Sequence, residues 1–344
     1  VNIDFDDGYA GLTNALYFMG ETKGYFLNRA PLISFILMPV QLLKQALGTH
    51  PLDVRLDHAL MALIHFGYLL ACWQLLSRIH GRDLPSLLAY IAALATPVFF
   101  SYAPFVNLDI FPGALALWMV VLADQQLQSP SLRRWCALVV LGALLASLKQ
   151  TYALVWVGIV VALPVLLVTQ TTERPQWSAV LGMLGAAILS GAITWIVYAS
   201  VLAGPFSGDP FLLRPWLQIE AINANYNVEG GAAQVFYPWI YLQNLWAYGI
   251  LPVILVLPGL FMALKRGTSL LRLVALVWLF IIVMLHITPY KEVRYLAFLA
   301  PFNAVLLVPV IRAVWQRRDI YRHLLMAVFV AGIALTLPEA LRLR

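Results

Sequence analysis

Charged residues are scarce in this sequence. Of its 344 residues, 11% are Asp, Glu, Lys or Arg and 62% are hydrophobic, whereas soluble domains carry about 25% charged and about 45–50% apolar residues. A water-soluble fold has no place for this much apolar surface, and the mean hydropathy of +0.83 agrees. The low charge therefore excludes a soluble protein and indicates an integral membrane protein in contact with the lipid bilayer, with no nucleic-acid partner.

Cysteines and the common catalytic fingerprints are equally rare. The two cysteines, Cys72 and Cys136, lie inside apolar runs, where we expect small buried hydrophobic residues rather than a disulfide. The sequence contains no CxxC, HExxH, GxxxxGK[ST] or GxGxxG pattern, so these zinc, triphosphate and dinucleotide fingerprints are absent. It begins at Val1 and runs directly into an acidic stretch, and we expect a further transmembrane helix upstream of it.

The apolar residues form runs of the length that a membrane-spanning helix needs, about 20 residues. The runs are too long and alternate too little for barrel strands, and lipid tolerates only helices or closed barrels. The sequence therefore predicts an all-α polytopic protein, a single transmembrane domain over residues 1–344 with about ten spanning helices. The ten runs lie at 57–78, 84–103, 109–127, 134–149, 152–169, 178–203, 245–264, 270–288, 294–315 and 321–338.

Basic residues are distributed unequally between the two predicted faces. The loops of one face carry twelve of the 22 basic residues and four of the 16 acidic residues. By the positive-inside rule this face is cytoplasmic. The opposite, outer face then carries residues 1–56, which we expect to form a catalytic loop with interfacial helices, and the loop 204–244.

One further apolar run, 31–48, opens with Pro31, a favoured first residue of a helix. If the alternation of faces is to hold, residues 1–30 and the loop 79–82 lie on opposite sides. Runs 31–48 and 57–78 then supply one crossing between them, and we expect 31–48 to lie in the outer interface. An ordinary span with an imperfect charge rule remains the alternative.

A cluster of carboxylates opens the predicted outer face. Asp4, Asp6 and Asp7 fall within four residues, and their mutual repulsion raises a pKa unless a cation or metal offsets it. Such a group suits a general base or the binding of a divalent metal. The alternative is a solvated acidic loop.

Isolated charges at the ends of two predicted spans fall on the same face. Asp109 begins an apolar run and serves there either as a helix cap or as a polar group facing a cavity. Lys149 lies between two runs and either reaches the outer surface or holds an anionic group.

Two denser features complete the outer face. The stretch 290–295 forms either an aromatic belt with a local ion pair or a clamp for phosphate. The loop 204–244 is too aromatic for a disordered segment, and we expect a lid or acceptor platform. Because all these features share one face, we predict an outer cavity for an anionic, lipid-linked substrate. The polar and aromatic residues of the first stretch are Tyr290, Lys291, Glu292, Arg294 and Tyr295.

Six short segments follow one another in order along nearly the whole chain: 6–9 (DDGY), 29–33 (RAPLI), 107–109 (NLD), 147–149 (SLK), 237–241 (YPWIY) and 291–295 (KEVRY). This ordered set resembles the C superfamily of membrane glycosyltransferases (GT-C), with Asp7 where Glu is commoner and Ala30 where the first Pro is usual. The branch it is most similar to contains bacterial protein O-mannosyltransferase-like enzymes and the aminoarabinose transferase of lipid A, families 39 and 83.

The resemblance implies an inverting glycosyltransferase with a polyprenyl-phosphate sugar as donor and a lipid, glycan or protein hydroxyl as acceptor. It places the active site on the outward side of the bacterial inner membrane. Asp6 or Asp7 would accept the acceptor's proton, and a divalent metal, if one is needed, would bind among Asp6, Asp7 and Asp109. The remaining implied substrate-binding residues are Tyr9, Arg29, Lys149, Tyr290, Lys291, Glu292, Arg294 and Tyr295.

A transporter or flippase for an anionic lipid-linked or small substrate is the alternative function. Transporters usually carry ionisable residues and broken helices near the bilayer midplane, often in paired repeats. Here the charges gather at one surface, and the two halves of the sequence show no convincing symmetry, so the sequence favours the enzyme.

Overall fold

The computed structural model describes residues 6–26, 30–102, 106, 110–169, 177–228, 245–287, 293–317 and 319–342. Over these ranges the chain is helical and contains no strand, which confirms the predicted all-α class. The α-helices are α1 Asp6–Phe18, α2 Pro31–Ala46, α3 Arg55–His80, α4 Leu84–Leu94, α5 Pro97–Tyr102, α6 Pro112–Gln128, α7 Leu132–Leu148, α8 Leu154–Thr169, α9 Trp177–Val201, α10 Arg214–Val228, α11 Ile250–Arg266, α12 Ser269–Ile287, α13 Ala300–Trp315 and α14 Asp319–Arg342. Short 3₁₀ helices precede four of them, at Gln150–Ala153, Phe211–Leu213, Leu245–Tyr248 and Val293–Leu299.

Five helical segments of the described chain are long and apolar enough to cross a bilayer, and each coincides with a predicted span. They are Arg55–His80, Thr151–Val168, Trp177–Val201, Ser269–Ile287 and Tyr295–Trp315. The other predicted spans correspond to shorter helices or to the terminal α14, so the exact number of crossings stays a prediction. The interfacial position of α2 also stays a prediction, although its 16 residues rise only about 24 Å against a hydrocarbon core of about 30 Å.

The predicted span 84–103 is broken into two helices. α4 ends at Leu94 and α5 begins at Pro97. Proline has no amide hydrogen to donate, and it disfavours helical geometry at the residue before it. The hydropathy of the run is continuous, so the break was not predicted. As a result, α5 begins a separate helix in the middle of the predicted span.

Glycine permits a close contact between α11 and the buried helix α13. α13 packs against α4 and α11, and 72% of the most apolar stretch of the segment Tyr295–Trp315, which contains α13, is buried. A Cβ on Gly259 of α11 would lie 2.2 Å from the carbonyl oxygen of Leu306 in α13. Only glycine tolerates this approach, so Gly259 sets the separation of α11 and α13.

One end of the bundle joins two of the predicted cytoplasmic loops. Arg312 Nη2 donates to Asp83 Oδ2 at 2.7 Å and to the His80 carbonyl oxygen at 2.8 Å. Asp83 also caps α4, accepting from the Ser86 amide at 2.9 Å. The loop after α3 and the end of α13 therefore share one face, as the charge distribution predicts. Which face is cytoplasmic stays a prediction.

One local expectation was wrong, and the structure adds a helix to one predicted loop. Cys136 is exposed on the surface of α7, whereas Cys72 is buried as expected. The predicted loop 204–244 contains α10 over Arg214–Val228, and residues 229–244 lie outside the described part. Gln, Glu and Asn side chains interrupt the apolar residues of α10, so a search for apolar runs does not detect this helix.

Candidate functional site

Lys149 and Tyr295, two predicted substrate-binding residues far apart in sequence, meet in the structure. Lys149 ends α7 in an extended conformation, with φ −162° and ψ 133°, which turns the chain into the 3₁₀ helix Gln150–Ala153. Its Nζ lies 4.0 Å from the centroid of the Tyr295 ring. A cation over an aromatic face is held by the ring quadrupole. The ammonium group is therefore oriented at the junction of the α7–α8 turn and the segment before α13.

Residues next to this pair in the sequence pack together and also contact a third element, the start of α6. The ring of Tyr152 is buried and meets that of Phe298 edge-on, with centroids 5.1 Å apart. A Cβ on Gly113, in the first turn of α6, would lie 2.1 Å from the Phe298 carbonyl oxygen. The start of α6, the α7–α8 turn and the segment 293–299 therefore converge. Asp109 lies outside the described residues, but it immediately precedes this start of α6.

The N-terminal helices lie at this same end of the bundle. Tyr17 of α1 contacts the chain after α9, where a Cβ on Gly204 would lie 1.7 Å from its Oη. Within α9, Tyr198 Oη donates to the carbonyl oxygen of Ala146 at 3.4 Å, one turn before Lys149. Burial raises the pKa of Tyr25, and the nearby Tyr17 raises it further. The C-terminal end of α1 and the end of α7 that precedes Lys149 thus both contact the C-terminal end of α9 or the chain just after it.

The remaining predicted site residues are described incompletely. Asp6 and Asp7 form the first turn of α1, and Arg294 belongs to the 3₁₀ helix Val293–Leu299, but their side chains lie outside the described part. Tyr9 is half-buried and packs against the main core. Five further predicted residues lie wholly outside the described ranges: Arg29, Asp109, Tyr290, Lys291 and Glu292.

A divalent metal stays a prediction. Over the described ranges no group of three or more His, Cys, Asp or Glu residues has the geometry to hold an ion. The predicted ligands are Asp6, Asp7 and Asp109. The structure describes the backbone of Asp6 and Asp7 but not their side chains, and Asp109 lies outside the described residues. Carboxylate oxygens are suitable ligands for magnesium, calcium or manganese, so the chemistry of the residues fits a hard cation.

A largely apolar groove, which the sequence did not predict, opens between α7, α8, α9 and α10. Its cavity volume is about 390 Å³, and Trp156, Trp195 and Tyr198 line it beside small residues. Trp156 Nε1 donates to Ser190 Oγ at 3.1 Å, so the principal polar groups of the wall are bonded to each other. The small residues that make room are Gly142 and Ala146 on α7 and Ala187 and Gly191 on α9. Their i, i+4 spacing was a readable signal, because residues four apart share one face of a helix.

A buried ionic cluster, also not predicted, joins α2 to α3. Lys44 forms an ion pair with Asp57, and the two side chains are 1% and 0% exposed. Lys44 Nζ also donates to the Pro51 carbonyl oxygen at 2.9 Å. The sequence placed Lys44 in an interfacial helix, where the expected position of the charge is the headgroup region. Its burial depends on Asp57 being within reach, which a one-dimensional pattern does not show.

Comparison with known proteins places the fold. No family model and no curated protein matches the sequence, but solved structures do. ArnT from Cupriavidus metallidurans bound to undecaprenyl phosphate superposes with a TM-score of 0.59 at 15% identity, covering 96% of this chain and 59% of that one. The Archaeoglobus fulgidus oligosaccharyltransferase in complex with zinc and sulfate gives 0.57 at 14% identity, covering 97% and 48%.

A second structure of the archaeal oligosaccharyltransferase AglB from Archaeoglobus fulgidus, with an inhibitory peptide and a dolichol-phosphate, gives a TM-score of 0.56 at 13% identity. It covers 98% of this chain and 51% of that one. The chain thus spans about half the length of these proteins. The protein has the fold of the C-superfamily membrane glycosyltransferases, which confirms the resemblance at the level of fold.

Proposed function

We propose that the protein is an inverting glycosyltransferase that moves a sugar from a polyprenyl-phosphate carrier to a hydroxyl group of a lipid, glycan or protein. The reaction takes place at the extracytoplasmic face of a bacterial inner membrane. The observation that carries this proposal is the meeting of Lys149 with Tyr295, two predicted substrate-binding residues from different elements. Two of the similar structures hold a dolichol or undecaprenyl phosphate, the same class of carrier.

In the proposed reaction the acceptor oxygen attacks C1 of the sugar in one displacement. The carboxylate of Asp6, or less favourably Asp7, takes the proton of the acceptor hydroxyl, and the new C1–O bond forms as the bond from C1 to the phosphate oxygen breaks. The electron pair of that bond leaves with the lipid phosphate. Inversion follows because attack and departure occur on opposite sides of C1.

Cations stabilise this step because negative charge grows on the leaving phosphate. Lys149 is the described cation at the site, and Arg29, Lys291 and Arg294 are the others that we assign to the phosphate. Arg offers two parallel donors to a phosphate, whereas Lys acts as a point charge. Asp109 and Glu292 orient these cations or bind the sugar, and Tyr9, Tyr290 and Tyr295 contact sugar or phosphate.

The groove between α7, α8, α9 and α10 suits the hydrocarbon tail of the donor. Ala146 and Ala153 both line it, and Lys149 lies in the turn between them. A tail in the groove would place its phosphate end near this turn. Apolar walls bind an isoprenoid chain by removing its surface from water or from looser lipid packing.

Incubation of the purified protein with a radiolabelled polyprenyl-phosphate sugar, in detergent and in liposomes, tests the proposal. Transfer to an added hydroxyl acceptor, or slow release of free sugar by water, is expected. Movement of the labelled lipid across the liposome membrane with its sugar bond intact would instead identify a flippase and contradict the proposed function.

A further inference from the structure

The N-terminal hairpin, by which we mean α1, α2 and the described residues 19–26 and 30 between them, is held together by internal contacts. Gly11 of α1 faces α2, where a Cβ on it would lie 3.4 Å from a methyl group of Ile33 and of Leu37. Asn14, fully buried, accepts from the Phe26 amide at 2.7 Å and donates to its carbonyl oxygen at 3.0 Å. These contacts pack α1 against α2 and fix Phe26 to α1.

The hairpin contacts the rest of the protein largely through α2. α1 packs mainly against α2, and no other described helix contacts it as extensively. α2 in turn packs on α3 and α7. We therefore expect a displacement of α2 against α3 to reach α1, whose first turn contains Asp6 and Asp7.

The contact between α2 and α3 has a buried polar centre, which we call the anchor cluster. It consists of the ion pair Lys44–Asp57, the Pro51 carbonyl oxygen and the Gln41 amide. With its amide oriented to suit both neighbours, Gln41 donates to the Pro51 carbonyl at 3.1 Å and accepts from Lys44 Nζ at 3.0 Å. Gln41, Lys44 and Asp57 are each at most 1% exposed.

The orientation of α2 makes this burial unusual. Leu42, Leu43 and Leu47 are 56%, 48% and 59% exposed on the outside of α2, while the charge of Lys44 is directed inwards. Removing two charges from water costs several kcal/mol per ion, and an apolar pair of similar volume is often equally stable or more so. A buried ion pair adds directional geometry, which an apolar contact lacks, so its value lies in fixing one arrangement.

We infer that Lys44 and Asp57 are positioning residues that lock the N-terminal hairpin in the register at which the acidic turn of α1 reaches the acceptor hydroxyl. This inference rests on the proposed function. It predicts a specific kinetic signature, because Lys149, Lys291 and Arg294 belong to other parts of the chain, whereas Tyr9 belongs to the hairpin and Arg29 lies between its two helices in the sequence. Loss of the anchor cluster should lower kcat strongly and raise the KM for the donor by a smaller factor.

The test replaces both charges together, Lys44→Met with Asp57→Leu, so that no lone charge remains buried. We expect the double variant to stay folded, with a thermal midpoint close to that of the wild type. Its kcat for sugar transfer should fall at least about tenfold, since a displacement of 1 Å at a reacting group costs on the order of 100-fold. The donor KM should rise by a smaller factor than that by which kcat falls, because Lys149, Lys291 and Arg294 are left in place.

A matched control pair lies at the start of α3, close to Asp57 in the sequence. Arg55 pairs with Asp53 near the start of α3, but this pair is 79% and 17% exposed. Exposed pairs contribute little, so Arg55→Met with Asp53→Leu should leave kcat unchanged. A folded Lys44→Met, Asp57→Leu protein with the kcat of the wild type would overturn the inference, and so would an equal loss in the control.

A distance measurement separates this inference from the proposed function. Spin labels at the exposed positions Lys23, in the hairpin, and Ile188, on α9, report hairpin position in a Cys136→Ser background. The distance distribution should shift or broaden in the Lys44→Met, Asp57→Leu protein and stay narrow in the control. If the wild type transfers no sugar, the proposed function fails, and the distance measurement alone then tests the role of the anchor cluster. An unchanged distance distribution in the Lys44→Met, Asp57→Leu protein would show that the anchor cluster does not fix the position of the hairpin.

Discussion

Two lysines of this protein illustrate opposite uses of one side chain. Lys44, in the N-terminal hairpin, is fully buried against Asp57 and the Pro51 carbonyl. Lys149, in the α7–α8 turn, is half-buried and lies over the ring of Tyr295. A carboxylate cancels the charge of its partner, whereas an aromatic ring orients a cation without cancelling its charge. The first lysine therefore fits a structural role, whereas the second remains a predicted substrate-binding residue.

The largest effect on the rate of sugar transfer should come from replacing Asp6, in the first turn of α1. Asp6→Asn removes the proposed proton acceptor while keeping the size of the side chain, so transfer should fall by about 10²–10⁴-fold. The protein should stay inserted and folded. Initial rates with labelled donor, normalised to folded protein from gel filtration, measure the change, and full activity would remove Asp6 from this role.

Removing only the lysine of the Lys44–Asp57 ion pair should have a large effect on stability. Lys44→Met leaves Asp57 as a lone buried charge, so the free energy of unfolding should fall by about 3–5 kcal/mol. Denaturant or thermal unfolding in detergent measures it. The comparison variant is Arg55→Met, whose side chain is 79% exposed and should show no measurable change. Equal stabilities of the two variants would mean that Lys44 is not buried against Asp57.

Replacing Lys149 should have the opposite consequence: a large loss of activity and little loss of stability. Lys149→Gln should lower kcat/KM for the donor by about 10²–10³-fold, as for other groups that stabilise a developing anion, with little change in stability. Lys265 is the control, because its Nζ also lies over a ring, 5.2 Å from the Phe261 centroid, but at the predicted cytoplasmic face. If Lys265→Gln reduces transfer equally, the effect is not specific to the site.

Filling the groove should produce a smaller effect that depends on the donor chain. Gly191 lines the groove and Gly185, on the same helix, does not, and a Cβ at either meets nothing within 4 Å. Gly191→Leu should raise the KM for a long polyprenyl donor about tenfold, equivalent to losing ~1.4 kcal/mol of binding. A short-chain donor, and the Gly185→Leu variant with either donor, should be unaffected. A loss that is the same for both chain lengths would contradict the assignment of the groove.

The smallest effect belongs to the face opposite the site. Burial raises the pKa of Asp83, but hydrogen bonds from Ser86 and Arg312 outweigh it and hold the pKa below its ordinary value. The stabilisation is therefore complete above the ordinary aspartate pKa and disappears as the pH falls through the lowered one. Because the pair is partly exposed, Asp83→Asn should cost only ~0.5 kcal/mol at neutral pH. A difference in unfolding that persists in acid would show that the carboxylate charge is not its source.

Much of the architecture was predictable because lipid imposes a simple rule on sequence. Spanning helices need long apolar runs, so the run 152–169 marked α8 and the run 270–288 marked α12 directly. Lys149 and Tyr295 were predictable as individuals, since a polar group between two apolar runs calls for an explanation. Their contact was not predictable from spacing, because they come from different helices.

The sequence by itself determined the membrane class, the helical fold and the residue types available for chemistry at the predicted outer face. These follow from local composition, because hydropathy and charge act on each segment separately. Only the tertiary structure decided that Lys44 is paired with Asp57 and that small residues of α7 and α9 line the same groove. Each of these depends on which side chains come within a few ångströms across helices, and no pattern along one chain segment contains that information.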